Sequence, residues 1–316
     1  MKGLARRAGA QMARWAAALF LMLALAGAAS AAEPPRVVAS LSPLHGLAAA
    51  VLKGVAEPEL LVRSGGSEHA YALRPSDARA LGAADLVIWI GPGLESFLAK
   101  PIATLAQTGA VLTVAELPGV TLLPRRTGAG WGGHDQEEAE EHEHGPMDLH
   151  LWLDPANAVT VLRTIAERLA ALDPERAERY RANAAEAADE VLALDRALAD
   201  RLAPVRSVPF LVFHDAYQYL ERRYKLTAVG AVAVDPERPP GPRHLAKLRE
   251  HARKSGARCI FAEPQFKPDL VERLRAGTDL RAGVLDPLGA GLPLGPGHYA
   301  GLMGALGESL RTCLSD

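Results

Sequence analysis

Short apolar runs alternate with amphipathic segments in the first part of the chain, separated by glycine and proline. The apolar runs predict strands at 36–40, 58–62, 85–90 and 111–114, and the segments between them predict helices at 44–52, 75–81 and 94–105. Strands that alternate with helices at this spacing favour a parallel α/β sheet.

The second part of the chain repeats this alternation of strands and helices. Strands are predicted at 209–213, 226–234, 258–262 and 283–286, and helices at 242–254, 268–275 and 299–313. Between the two parts, a helix is predicted at 157–172 and another from 173 to about 202, the second without glycine or proline after its first turn. About thirty helical residues span about 40 Å, so we predict that this helix is a rigid connection between the two parts. The predicted fold is α/β, with two Rossmann-like lobes of parallel sheet joined by one long rigid helix; the lobes are 33–172 and 203–316, and the helix is 173–202.

The first 32 residues are not expected to belong to the fold. Basic residues precede an apolar run at 15–29, and small residues follow at 30–32. This order is typical of a secretory signal peptide, with cleavage expected after Ala31 or Ala32. The run is short for a membrane anchor and lacks a stop-transfer flank, so we expect export to the periplasm.

Composition narrows the class of protein. A chain of 316 residues with 49% apolar residues can form two full cores. Its net charge of −2 indicates no nucleic-acid partner. In an exported protein the two cysteines, Cys259 and Cys313, most simply form a disulfide; two buried free thiols are the alternative.

A polar segment, HDQEEAEEHEH at 134–144, contains His134, His142 and His144 among acidic residues. We predict that it lies in a loop spanning 125–147, because it has too few apolar residues to bury. Two roles stay open for this loop, namely weak capture of cations and a solvated acidic linker. The chain then becomes strongly apolar around His150.

Three histidines share a structural context. His69 follows the strand at 58–62 and its glycine-rich turn, His214 directly follows the strand at 209–213, and His150 begins the apolar segment after the acidic loop. Ligands of parallel sheets bind beyond the carboxyl ends of the strands. A single histidine in such a place is more often structural, but three that converge between lobes would suit Zn²⁺.

Four segments carry a family resemblance: SEHAYALRPSD at 67–77, DLHLWLDP at 148–155, FHDAY at 213–217 and FAEPQ at 261–265. They resemble the periplasmic ZnuA type of metal-binding proteins that serve ABC importers. The resemblance implies two α/β lobes with zinc between them, and His69, His150 and His214 as ligands. It also implies a disulfide between Cys259 and Cys313.

The resemblance offers two candidates for a fourth ligand. Glu68 adjoins His69, so both can face one ion, and we rank it first. Asp286 is the alternative fourth ligand. It could instead orient one of the ligating histidines or cap the turn that follows it. Manganese-binding relatives have a carboxylate where this chain has His214, which favours zinc. Glu263 either ties the lobes together or orients a ligand.

The predicted function is high-affinity capture of Zn²⁺ in the periplasm and delivery to an inner-membrane ABC permease with its cytoplasmic ATPase. We expect a monomer that catalyses no reaction. One alternative is a zinc hydrolase with a three-histidine site, but the chain has no HExxH motif and no nucleophile elbow. The other is a metal-dependent adhesin, which the absence of a lipid-attachment cysteine near the predicted cleavage site disfavours.

Overall fold

The structure, a computed structural model, describes residues 33–63, 65–106, 109–126, 146–233, 236 and 240–315. The predicted signal peptide and the three histidines of the acidic segment lie outside the described residues.

The first sheet contains four parallel strands in the order β2-β1-β3-β4. They are β1 (Val37–Ala39), β2 (Glu59–Leu60), β3 (Leu86–Trp89) and β4 (Ala110–Thr113), connected by α1 (Ser42–Val51), α2 (Pro75–Ala83) and α3 (Ser96–Leu105). Both faces of this sheet are covered, since Val37 and Ala39 belong to one apolar cluster and Val38 to another. A strand buried on both faces needs apolar residues throughout, which explains the continuous runs in the sequence.

A short antiparallel hairpin that the sequence did not predict follows the first sheet. It pairs β5 (Leu123–Pro124) with β6 (Met147–Asp148). Each strand has only two residues, so neither shows the alternation by which half-buried strands are recognised.

Two helices separate the sheets, α4 (Pro155–Leu172) and α5 (Ala177–Leu202). Helix α4 begins two residues before the predicted start, because the Asp154 side chain accepts a hydrogen bond from the Ala156 N–H at 2.9 Å. Asp173 does not cap α5 directly. Its carboxylate accepts bonds from Arg176 and from the Tyr180 hydroxyl, and residues 174–176 form a 3₁₀ turn. Helix α5 therefore has 26 residues and a length of about 39 Å.

The second sheet is also parallel, in the order β10-β9-β7-β8. Its strands are β7 (Phe210–His214), β8 (Ala228–Ala233), β9 (Cys259–Ala262) and β10 (Arg281–Val284), accompanied by α6 (Gln218–Tyr224), α7 (Pro242–Ser255), α8 (Asp269–Arg275) and α9 (His298–Leu314). The sequence did not predict α6. The last strand ends before Asp286, which therefore lies in the following turn.

One large apolar cluster connects the two sheets. It contains residues of β1 and β3, the buried faces of α4 and α5, and residues of β7, β9 and α9. The disulfide between Cys259 and Cys313 is present and joins β9 to α9. The two-lobe α/β fold is thus confirmed, whereas lobe boundaries at 172 and 203 stay a prediction, because α4 and α5 share one core with both sheets.

Candidate metal centre

Glu68 and His69 reach the centre from the loop that follows β2. The chain leaves the first sheet after Leu60, and the Ser67 hydroxyl accepts a hydrogen bond from the His69 N–H at 3.2 Å. Glu68 is fully buried and His69 is 9% exposed. Neighbouring residues of a turn thus present a carboxylate and an imidazole at one place.

His150 is held from behind by a carboxylate two residues earlier. Asp148 Oδ1 lies 2.8 Å from His150 Nδ1 and also accepts the His150 N–H at 3.0 Å. With Nδ1–H donating to the carboxylate, the neutral ring carries its free lone pair on Nε2. Asp148 therefore sets both the tautomer and the direction of the ring.

His214 has the same arrangement with a partner from another strand. It is the last residue of β7, and Glu263 directly follows the neighbouring parallel strand β9. The Oε1 atom of Glu263 lies 2.8 Å from His214 Nδ1. The carboxyl ends of the two strands meet at one sheet edge, so the fold itself brings this pair together.

The Nε2 atoms of the three histidines converge on one point. His150 Nε2 lies 3.3 Å from His69 Nε2 and 3.2 Å from His214 Nε2. Glu68 Oε1 is 3.8 Å from His150 Nε2 and 3.7 Å from His214 Nε2. A tetrahedral zinc ion with bonds of about 2.0–2.1 Å places its ligand atoms about 3.3 Å apart. The spacing therefore matches one shared ion.

The electrostatics of the centre also favour a cation. Neither oxygen of Glu68 accepts a hydrogen bond from any described residue. Burial raises the pKa of Glu68, against the attraction of His214 and His150. Burial opposes the charged form of His214, but the attraction and hydrogen bond of Glu263 and the attraction of Glu68 raise the pKa of His214 to about 9. A buried carboxylate without a donor is costly, and a bound cation would remove that cost.

The comparisons with known proteins agree with this geometry. Residues 37–313 match the model of the ZnuA family, described as zinc-uptake complex component A, periplasmic. The chain belongs to the ZnuA family. It is 41% identical over 315 residues to the high-affinity zinc uptake system protein ZnuA of Brucella suis biovar 1, covering 92% of this chain and 94% of the relative. It is 38% identical to that of Paracoccus denitrificans, covering 94% and 97%.

Solved structures share the fold of this ZnuA-family chain. A crystal structure of ZnuA aligns with a TM-score of 0.75 at 24% identity, over 89% of this chain and 100% of that one. A laminin-binding adhesin from Streptococcus agalactiae aligns with a TM-score of 0.73 at the same 24% identity and the same coverage. These similarities support the two-lobe fold. Within the described residues, no helix is both long and apolar enough to cross a bilayer.

The four converging residues of this ZnuA-family chain do not include Asp286, the alternative fourth ligand. Its Oδ1 accepts the N–H groups of Leu288 and Gly289, at 3.0 and 2.9 Å, and its Oδ2 accepts that of Ala290 at 2.6 Å. Gln265 Nε2 donates to the same carboxylate at 2.7 Å. Asp286 thus caps the turn after β10, a role that the sequence had left open.

Sequence reasoning gave no role to Asp148 and did not decide that of Glu263, although both lie in the segments that resemble the ZnuA family. The spacing of Asp148, two residues before His150, could have indicated its contact. Glu263 lies 49 residues from His214, so only the pairing of β7 with β9 shows that its carboxylate contacts the ring of His214.

Proposed function

We propose that this chain captures Zn²⁺ in the periplasm, holds it with His69, His150, His214 and Glu68, and releases it to an ABC permease driven by a cytoplasmic ATPase. One observation carries the proposal: the ligand atoms of these four residues all lie within 4.8 Å of one another. The centre draws on both lobes, and membership of a zinc-uptake family agrees with the cargo.

The chemistry of the ligands favours zinc over harder ions. Three imidazole nitrogens and one carboxylate form a set typical of Zn²⁺, whereas manganese and magnesium favour oxygen. Four protein ligands also complete a tetrahedron. A hydrolytic zinc needs an open position for water, so this arrangement supports binding rather than catalysis.

The organisation of the chain follows from this proposal. Residues 1–32 act as a cleaved signal peptide, 33–172 and 203–316 form the lobes, and 173–202 connects them. The mature protein works as a monomer. The acidic segment within 125–147 adds weak attraction for cations, and its deletion leaves the zinc stoichiometry of the main centre at one.

Calorimetric zinc titration of the mature protein tests the proposal. Wild type should bind one zinc ion tightly, and His69→Ala, His150→Ala and His214→Ala should each weaken binding strongly. Comparing Glu68→Gln with Asp286→Asn separates the two candidates for the fourth ligand. We expect Glu68→Gln alone to weaken binding, because the Asp286 carboxylate already accepts three turn N–H groups and the Gln265 amide. Tight binding by a chain lacking two of the three histidines would refute the proposed site.

A further inference from the structure

The β5–β6 hairpin, which precedes α4 and α5 in the chain, lies against α6, which follows them. The Tyr219 hydroxyl donates to the Asp148 carbonyl at 2.6 Å and accepts the Leu123 N–H at 3.1 Å. Gln218 Nε2 donates to the Pro124 carbonyl at 3.2 Å. Residues that precede the long helix are thereby bonded to residues that follow it.

Arg126, two residues after β5, strengthens this contact with ion pairs. Its guanidinium engages Glu221 through Nη1 and Nη2 at 2.8 and 2.9 Å, and Asp215 through Nε at 2.9 Å and through Nη2. The side chains of Arg126, Asp215 and Glu221 are only 20%, 17% and 9% exposed. Planar geometry allows one arginine to bind two carboxylates in this way, which a lysine cannot do.

Both sides of this contact lead directly to proposed zinc ligands. Asp215 is the neighbour of His214 in the chain. On the hairpin side, Asp148 ends β6 and holds the His150 ring at 2.8 Å. A shift of the hairpin relative to α6 would therefore move one imidazole away from another.

We propose that Arg126 is a positioning residue that clamps the hairpin to α6 and keeps His150 and His214 within coordinating distance of one cation, so that zinc is released slowly. This inference rests on the proposed function. Arg126 itself does not touch the ion. It acts through the contacts on either side of it.

Electrostatics alone predicts the opposite effect for removal of Arg126. Arg126→Ala leaves the carboxylates of Asp215 and Glu221 unpaired beside a divalent cation. If charge were the only effect, the added negative potential would retain zinc more tightly. If Arg126 clamps the ligands, zinc leaves faster. The direction of the change therefore distinguishes a clamp from a field effect.

The test measures the rate at which zinc-loaded protein loses its ion to an excess of chelator. We expect Arg126→Ala to release zinc at least about tenfold faster than wild type, because loss of a residue that positions metal ligands typically weakens metal binding by about 10–100-fold. Arg126→Lys keeps the charge but loses the planar group that binds two carboxylates at once. It should release zinc faster than wild type by a smaller factor. Should Arg126→Ala fail to fold, Arg126→Lys decides alone.

Arg181→Ala is the matched control. Arg181 also bridges two carboxylates, Glu167 at 2.9 Å and Glu178 at 3.1 Å, but it is 45% exposed and lies on the outer surface of α4 and α5. It should release zinc at the wild-type rate. Equal or slower release from both Arg126 variants would overturn the clamp while leaving the proposed function standing. Failure of wild type to bind zinc would overturn the proposed function, and the clamp with it.

Discussion

Replacing Glu263 with glutamine should weaken zinc binding and change its proton balance together. The carboxylate lies 2.8 Å from His214 Nδ1, and the side chains of both residues are almost fully buried. Glutamine can still accept a hydrogen bond from Nδ1–H, so the tautomer is kept while the charge is lost. Loss of a carboxylate that orients a metal-binding histidine typically costs about 10–100-fold in affinity.

Protons compete with zinc for the same ring. Because Glu263 and Glu68 raise the pKa of His214 to about 9, zinc must displace a proton at neutral pH. At pH 7 this costs about 3 kcal/mol, or on the order of 100-fold in affinity. The zinc affinity of the wild-type protein therefore rises with pH up to about 9 and then levels off. In Glu263→Gln the pKa of His214 falls, so the affinity deficit is largest near pH 9 and shrinks as pH decreases.

Calorimetry at pH 7.5 in buffers of different ionisation enthalpy counts the protons released for each zinc bound. Wild type should release more protons than Glu263→Gln. Glu250→Gln is the control, because Glu250 is exposed and forms an ion pair with Lys254 at 2.7 Å; it should leave affinity and proton count unchanged. An identical proton count in wild type and Glu263→Gln would refute the reasoning, as would an unchanged affinity at pH 9.

Three further predictions concern other parts of the molecule. Asp148→Asn should lower zinc affinity by about 10–100-fold in calorimetric titration, because His150 loses the charge that orients it; full affinity would contradict this role. In the metal-free protein, the raised pKa of His214 stabilises the fold by about 3 kcal/mol below pH 6.5, and this stabilisation is lost as pH rises through about 9. Denaturant unfolding at both ends of that range, against His214→Gln, checks the difference, and equal pH dependence would contradict it. Replacing Cys259 and Cys313 together with alanine should lower the free energy of unfolding by about 4 kcal/mol, since the bond closes a loop with a separation of 54 residues. Zinc stoichiometry should stay at one, and its loss would show that the disulfide also shapes the centre.

Local patterns in the chain were enough to predict most of the secondary structure. Buried parallel strands need continuous apolar residues, so all eight strands of the two sheets were visible as runs, although their ends shifted by up to two residues. Helix α6 and the β5–β6 hairpin were missed. Seven helical residues and two-residue strands are too short to show a period, and the partners that stabilise them come from distant parts of the chain.

The choice between Glu68 and Asp286 shows the same limit at the centre. Glu68 adjoins His69, and Asp286 ends the strand predicted at 283–286. Position in the sequence alone cannot rank the two carboxylates as ligands. In the structure, three turn N–H groups and Gln265 donate to the oxygens of Asp286, while neither oxygen of Glu68 accepts a hydrogen bond from a described residue. Arg126 gave no signal at all in the sequence, since its two partners lie 89 and 95 residues further along the chain.

From residue order alone, one can tell which side chains stand where strands end, because that depends on local apolar runs and turns. Coordination depends on distances of a few ångströms between residues 69, 150 and 214, and no local pattern encodes such distances. They arise when two sheets and the helices between them pack into one core, and the carboxylates behind the rings take their places only then.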